Sequence, residues 1–359
     1  LIPDPGIPAL ILKGSSVSDV PSVFVDALVR LGFLSAGEAV SGSPLQGGVS
    51  SDIWRLRVGN RELCVKCALA RLRVEKEWLA SPARHASEVL WLRQVALFAP
   101  GSVPGVLGHD PLTGVIAMEF LEPEAFPVWK SLLREGDVSV DVVEAIARLL
   151  VRVHATTSRN TRLATLFDND LFHQLRLTPY FLSLIDQHPD LTPVLTEIVR
   201  SVEHNRKAMT HGDFSPKNIL IGPHGPVVLD AECAGWSDPA FDLAFCLNHL
   251  LLKAVWTPSA AISFRRGFEL FSDVYLSGVG WEVPGELEAR AARLLPALLL
   301  ARIDGKSPVE YIGCAADQEM VRGFARSLLL RPERSLAAFA ARWFENLSEH
   351  LSGRLPRNA

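Results

Sequence analysis

His211-Gly212-Asp213-Phe214-Ser215-Pro216-Lys217-Asn218, followed by Val227-Val228-Leu229-Asp230, decides how this chain reads. Asp213 follows His211 by two positions, Asn218 lies five beyond Asp213, and Asp230 closes an apolar strand twelve beyond Asn218. Two carboxylates and an amide at such spacing suit one chemistry above others. Phosphoryl transfer asks little covalent help of a protein; it needs an acceptor hydroxyl held in line and a metal to neutralise phosphate charge. Asp213 is placed to accept the hydroxyl proton, and Asn218 and Asp230 to hold Mg2+. The pattern H-x-D-x-x-x-x-N is that of a kinase catalytic loop, with Gly212 where protein kinases carry Arg.

The rest of the chain has the bulk to support such a site. At 359 residues, with 48% of them hydrophobic and 21% charged, it is long enough for two lobes around a sizeable core. The net charge of -4 gives no reason to expect nucleic acid or an anionic membrane as partner. No apolar run reaches the roughly 18 uncharged residues of a membrane span. The start, Leu1-Ile2-Pro3-Asp4-Pro5, has no basic n-region and no cleavage site, so a signal peptide is not expected; it also lacks Met, which leaves room for a true start upstream. Cys64, Cys67, Cys233, Cys246 and Cys314 are scattered and odd in number, which points away from a disulfide framework and toward a reducing cytoplasm.

Upstream of the catalytic segment the hydrophobic period changes twice. Ser18 to Phe33 predicts a helix with Phe24, Ala27, Leu28 and Leu31 on one face, capped by Ser18 or Asp19. Val40 to Leu45, Ile53 to Val58 and Glu62 to Lys66 then alternate as short antiparallel strands, with Gly47-Gly48 breaking the first pair and Gly59-Asn60 turning the second. A helix over Ala83 to Phe98 follows, and then strands near Val103 to Gly108 and Val115 to Phe120, turning at Asp110-Pro111. After Glu122 the pattern becomes helical, at Val140 to His154, at Leu191 to Asn205, and from Pro239 to the end. The domain boundary is therefore expected near Glu122, with residues 1–121 as a nucleotide-binding lobe and 122–359 as a catalytic and substrate-binding lobe.

With these segments in order, the chain resembles the aminoglycoside phosphotransferase/choline kinase family over roughly Leu45 to Leu250. That resemblance implies an α+β, bilobal protein-kinase-like fold, with a small antiparallel-sheet N-lobe and a larger, mostly helical C-lobe. It implies ATP and Mg2+ as cofactors and a small molecule with a hydroxyl as acceptor. Gln46-Gly47-Gly48-Val49-Ser50-Ser51 resembles the loop that covers the nucleotide: glycine lets backbone N–H groups approach phosphate, and Ser50 and Ser51 add hydroxyl donors. An ordinary hairpin turn is the alternative there, since the loop is not G-x-G-x-x-G. Lys66 resembles the strand lysine that pairs the phosphates. An apolar strand that delivers one lysine is unusual, because a buried ammonium needs a partner. Glu88 is the expected partner, with Glu75 and Glu77 as competitors. Glu119 and Leu121, in Met118-Glu119-Phe120-Leu121, resemble the hinge whose backbone meets the adenine edge, though a plain edge strand reads the same way.

The resemblance also sorts the catalytic segment. His211 is implied to brace the loop, Asp213 to orient the hydroxyl and take its proton late, and Asp242 to hydrogen-bond the loop backbone. His154 matches a helix-end histidine of the family, an interior residue. Lys217 either reaches the transferred phosphate or faces solvent, and solvent is the expectation. Asp230-Ala231-Glu232 replaces D-F-G, and Glu232 is a possible contact to metal, water or substrate. Asp238-Pro239 is a good cap and first turn for the next helix. Cys64 and Cys67 point to opposite faces of their strand, which excludes a metal or redox pair.

The acceptor is the least legible part. Arg302, in Arg302-Ile303-Asp304-Gly305, is similar to an arginine region of methylthioribose kinases, which implies a sugar or an anionic small molecule over a polyamine. Asn218 departs from the pattern of those kinases, and a helix C-terminus with a basic residue complementing the dipole explains Arg302 equally. Trp236, Trp256 and Trp281 either line an acceptor pocket or pack in the core, and the core is expected for at least two. The expected activity is thus an ATP- and Mg2+-dependent transfer of phosphate to a small-molecule hydroxyl, such as that of a sugar, an amino alcohol or an aminoglycoside-like compound. A non-catalytic nucleotide-binding scaffold is the alternative. A protein kinase is disfavoured by Gly212 and by the lack of D-F-G and A-P-E segments.

Overall fold

The alternating stretches form one antiparallel sheet. The computed structural model describes residues 20–45, 51–69, 84–167 and 169–354. Strands β1 (Ser41–Pro44), β2 (Ser51–Val58), β3 (Arg61–Ala68), β4 (Val106–Asp110) and β5 (Val115–Glu119) lie in the order β1-β2-β3-β5-β4. Val58 pairs with Arg61, so Gly59-Asn60 is a two-residue hairpin turn, and Gly59 takes the positive φ such turns require. Helix α1 (Ser22–Arg30) packs Phe24, Ala27 and Leu28 on the outer face against Trp54, Leu56, Leu63, Val65, Val115 and Ala117. It is shorter than expected, and the proposed cap at Ser18 or Asp19 lies outside the described residues.

The other face of the sheet belongs to a different core. Along β5, Val115 and Ala117 face α1, whereas Ile116 and Met118 face inward, as a period of two requires. There they join Val89, Trp91, Leu92 and Val95 of α2 (Arg84–Phe98) in the hydrophobic cluster that fills the helical half of the molecule. Strand gives way to helix where the sequence suggests, but the main core runs continuously across that point.

Below the sheet come α3 (Trp129–Arg134), α4 (Val140–Thr157), α5 (Thr161–Ala164) and α6 (Asn169–Phe172). A π-helical turn at His173–Leu177, α7 (Thr178–Tyr180) and α8 (Thr192–His204) follow. Two small ribbons carry the catalytic segment: β6 (Ala208–Thr210) pairs with β9 (Gly235–Ser237), and β7 (Ile219–Gly222) with β8 (Gly225–Val228). The chain ends in α9 (Pro239–Trp256), α10 (Ala261–Ser277), α11 (Pro284–Asp304), α12 (Ala315–Leu330) and α13 (Leu336–Arg354). Every residue of α9 from Pro239 to Val255 is buried, as expected of a helix apolar on all sides. Asp238 caps it, its carboxylate accepting the Ala240 N–H at 3.0 Å ahead of Pro239. Among the described residues no helix is long and apolar enough to cross a membrane, and the five cysteines are unbridged.

Candidate active site

Asp242, in the first turn of α9, fixes the catalytic loop. Its two carboxylate oxygens accept the backbone N–H groups of His211 (2.6 Å) and Gly212 (2.8 Å). His154 of α4 reaches the same carboxylate at 3.3 Å, and its other ring nitrogen meets the Tyr275 hydroxyl at 2.7 Å. Asp242 and His154 are both fully buried, so this network anchors the loop from below. His211 braces it from within. Its Nε2–H donates to the Leu229 carbonyl at 3.0 Å, and its Nδ1 accepts the Asp213 N–H at 3.1 Å. Burial holds its pKa below the ordinary value despite Asp242 and Asp213 nearby, so the ring is neutral and both nitrogens are engaged. The Trp91 ring of α2 packs edge-on against it. Gly212 has φ +74°, and a Cβ there would lie 2.3 Å from the Cys233 carbonyl oxygen. No side chain fits, which explains why the protein-kinase arginine is absent.

Asp213 lies at the head of this loop, buried. Arg176 approaches its carboxylate at 3.1 Å and Lys217 at 3.0 Å. Burial alone would raise its pKa, but Lys217 and Arg176 outweigh that and hold the carboxylate below its ordinary value. Asp213 is thus an anion over the neutral pH range. Lys217 does not simply face solvent as expected: its side chain is half exposed, yet its ammonium pairs with Asp213. Asn218 donates its Nδ2 to the Asp213 carbonyl at 3.0 Å, and its own carbonyl accepts the Leu229 N–H at 2.8 Å, joining loop to strand.

Asp230 is the one non-glycine residue with positive φ (62°) among those described. Such a conformation is uncommon in Asp and is held only where surrounding contacts enforce it. Its carboxylate pairs with the Lys66 ammonium, which is also bound by Glu88 at 2.8 Å. Burial disfavours the charge on Lys66, but Asp230, Glu88 and Glu232 more than offset this, and its pKa stands above the usual lysine value. Asp230 is in turn kept low by Lys66 and Lys217 against the effect of burial. Glu88 is the most enclosed of the three, and burial pushes its carboxyl up to about 7, opposed by Lys66. The partner expected for Lys66 is therefore the one observed. Glu75 and Glu77 lie outside the described residues, as do Gly47, Gly48 and Ser50.

Other expected positions fall around this centre. Ser51 opens β2 with its hydroxyl buried and without a partner among the described residues. Glu119 ends β5, its N–H donating to the Gly105 carbonyl at 2.9 Å, and Leu121 follows just past the strand. Glu232 is paired with Arg84 at 2.8 Å, which ties the start of α2 to the segment after Asp230. Arg302 lies in the last turn of α11, where a basic residue complements the helix dipole. It folds back, buried, onto the Ser307 hydroxyl at 3.0 Å and the Tyr180 hydroxyl at 3.2 Å. Trp236 is buried, while Trp256 stacks on Tyr311 and Trp281 lies edge-on to His154 and Tyr275.

Sequence reasoning missed Arg176 and Arg84. Arg176 sits in the π-helical turn, donates to the Gly212 carbonyl and pairs with Asp213. The signal was an arginine between two leucines in a helical stretch, where a buried cation requires an acid.

A family model described as "Phosphotransferase enzyme family" matches residues 41–281, about two thirds of the chain. The chain belongs to that family. It is 25% identical over 228 residues to a probable ketoamine kinase of Klebsiella aerogenes, covering 57% of this chain and 72% of that one. It also matches methylthioribose kinases, but spans only 51% of the length of one from Oryza sativa and 63% of one from Bacillus cereus. Among solved structures, a Plasmodium vivax ethanolamine kinase aligns with a TM-score of 0.56 at 12% identity, covering 88% of this chain and 92% of that one. An amicoumacin kinase in complex with AMP-PNP and Ca2+ aligns at 0.53, also at 12% identity, covering 84% and 91%. At these identities the structures speak to the fold, and the expected α+β kinase-like fold is borne out. The expected class, a small-molecule phosphotransferase, accords with the family.

Proposed function

We propose that the protein transfers the γ-phosphoryl group of ATP to a hydroxyl of a small molecule. The observation that carries this is the convergence of Lys66, Glu88, Asp230, Asn218 and Asp213 about one loop and one strand, with both aspartates ionised. Asp213 receives the acceptor hydroxyl as a hydrogen-bond acceptor and takes its proton as the oxygen–phosphorus bond forms and the bond to ADP breaks. Arg176 and Lys217 fix its carboxylate, and as a weak base it acts late. Lys66, oriented by Glu88, pairs with nucleotide phosphates. Gly47, Gly48, Ser50 and Ser51 cover them with backbone and hydroxyl donors, and the backbone at Glu119 and Leu121 receives the adenine edge.

Asp230 and Asn218 would hold Mg2+, which supplies charge neutralisation on the phosphates when bound. The residues fit that ion. Asp230 is an enforced, ionised carboxylate whose present partner is a cation, and Asn218 has its amide nitrogen engaged in the loop, which leaves the oxygen for metal. Among the described residues no group of three or more acidic, His or Cys side chains is arranged for a metal. That agrees with an ion carried largely by phosphate oxygens and water. Residues 1–121 would serve as the nucleotide lobe and 122–359 as the catalytic and acceptor lobe, with cytoplasmic location favoured by the unbridged cysteines.

Thermal stabilisation by ATP with and without Mg2+, followed by ADP release across a library of small alcohols, tests the reading. Metal-dependent stabilisation with turnover of at least one acceptor is expected. Stabilisation without turnover would favour a nucleotide-binding scaffold, and no stabilisation at all would remove the nucleotide site.

A further inference from the structure

The C-terminal end of α9 carries a buried lysine amine that meets no acceptor atom among the described residues. Lys253 is 1% exposed, and its amine has no hydrogen-bond partner among the described residues. It rests against the faces of Trp256 (4.6 Å to the ring centre) and Tyr311 (4.7 Å), contacts that soften the cost of burying a charge without cancelling it. Two further polar atoms of the same cluster, the Tyr311 hydroxyl and the Arg302 Nε, are also buried without partners. The charged groups that act on Lys253 are Lys130, Arg302 and one acid, Glu310. Glu310 is paired with Lys130 and its side chain is 66% exposed, so the carboxylate belongs to the rim.

This cluster is continuous with the catalytic loop. Arg302 and Arg176 lie against the same Tyr180 ring, at 5.9 and 5.5 Å from its centre, and Arg176 pairs with Asp213. Along α9, Phe245, His249 and Lys253 follow one another at helical spacing on the face that begins beside Arg176. His249 is buried and feels Arg302, Lys253, Lys217 and Lys130 together, which with burial keeps its ring neutral. From the Asp213 carboxylate onward, the described side chains thus present cations and donors, with Glu310 the sole acid acting on Lys253.

We propose that the acceptor carries a small oxyanion, a carboxylate or a phosphate, and that Lys253, Arg302 and Tyr311 form the subsite that receives it while its hydroxyl meets Asp213. This rests on the phosphotransfer reading above. A polyamine or an amino alcohol would bring a second positive charge to a cluster that already lacks anions, a repulsion made stronger by burial.

The test fills the nucleotide site first. With saturating Mg-ADP bound, the melting temperature is measured against malonate, inorganic phosphate, choline and spermidine at matched ionic strength, for the wild type and for Lys253→Met and Arg302→Met. Malonate or phosphate, but not the two cations, should stabilise the wild type; which of them does so separates a carboxylate from a phosphate. The effect should fall at least tenfold in apparent affinity in Lys253→Met. Glu310→Gln, which removes the rim acid, should strengthen it. Stabilisation by choline or spermidine instead, no stabilisation by either anion, or an anion effect unchanged in Lys253→Met would overturn the proposal. Absence of any Mg-ADP effect would count against the phosphotransfer reading, and the anion comparison on the ADP-free protein then decides the subsite by itself.

Discussion

The two ends of α9 solve the problem of a buried charge in opposite ways. At its start, Asp242 has both oxygens occupied by the backbone of the catalytic loop and a third contact from His154. At its end, Lys253 has two aromatic faces and no acceptor atom. The first arrangement is complete within the chain and does one thing: it holds the loop in a single geometry. The second lacks an acceptor among the described residues, and the proposed oxyanion would supply one. At Asp242 the satisfied charge holds a loop, and at Lys253 the unsatisfied one is the feature from which the oxyanion subsite is inferred.

The contrast breaks first at the loop that Asp242 holds. Asp213→Ala removes the proposed proton acceptor and should lower turnover by at least about 100-fold while Mg-ATP still raises the melting temperature. Steady-state kinetics with any accepted alcohol, alongside a thermal shift, measures both. Turnover close to wild type would remove Asp213 from the reaction and leave Asp242 anchoring a loop without a catalytic purpose.

How much of this was legible depended on whether a residue's partner lay nearby in sequence or in a recurring pattern. The strands, the two upper helices and α9 follow from hydrophobic period and from breakers such as Gly59-Asn60 and Asp238-Pro239. Lys66 stood out as a lysine ending an apolar strand, and the rule that a buried ammonium needs an acid led to Glu88. The same signal was present at Lys253, in Leu250-Leu251-Leu252-Lys253-Ala254-Val255, and at Arg176 between Leu175 and Leu177. Neither could be completed from sequence. The partner of Arg176 is 37 residues away across a π-helical turn, and Lys253 has none within the described chain. Arg302 resembles an arginine region of methylthioribose kinases and stands equally well at a helix end, whereas its contacts with Tyr180 and Ser307 come from tertiary folding.

Arg176 sharpens the comparison, since it is the cation that Asp213 does satisfy. The Asp213 carboxyl is held below its ordinary value by Lys217 and Arg176, so activity that needs its ionised form is lost as pH falls through that depressed value. Arg176→Met removes one of the two cations. The acidic limb of kcat/KM should move to higher pH, while turnover near neutral pH, where the Asp213 carboxylate stays ionised with or without Arg176, should change little. A pH–rate profile separates this from damage to packing: a lower melting temperature with the limb unmoved would make Arg176 structural only.

The smallest effect comes from the other end of α9, and its sign is the informative part. Burial, with Lys130 and Arg302 adding to it and Glu310 opposing, brings the Lys253 pKa from 10.5 down to about 7. Between those values the unfolded chain holds a proton that the folded chain has released, so stability rises with pH across the window, and the full penalty applies below about pH 7. Lys253→Met removes a buried ammonium and keeps most of the packing of its stem. It should raise the melting temperature by a few degrees at pH 6, corresponding to a gain on the order of 1–3 kcal/mol, and by less near pH 10, where the native lysine is already neutral. Added malonate or phosphate should narrow the gap between variant and wild type by supplying the missing anion. A gain that is the same at both pH values, or a loss at pH 6, would mean that Lys253 is as well satisfied as Asp242, and the two ends of the helix would no longer differ.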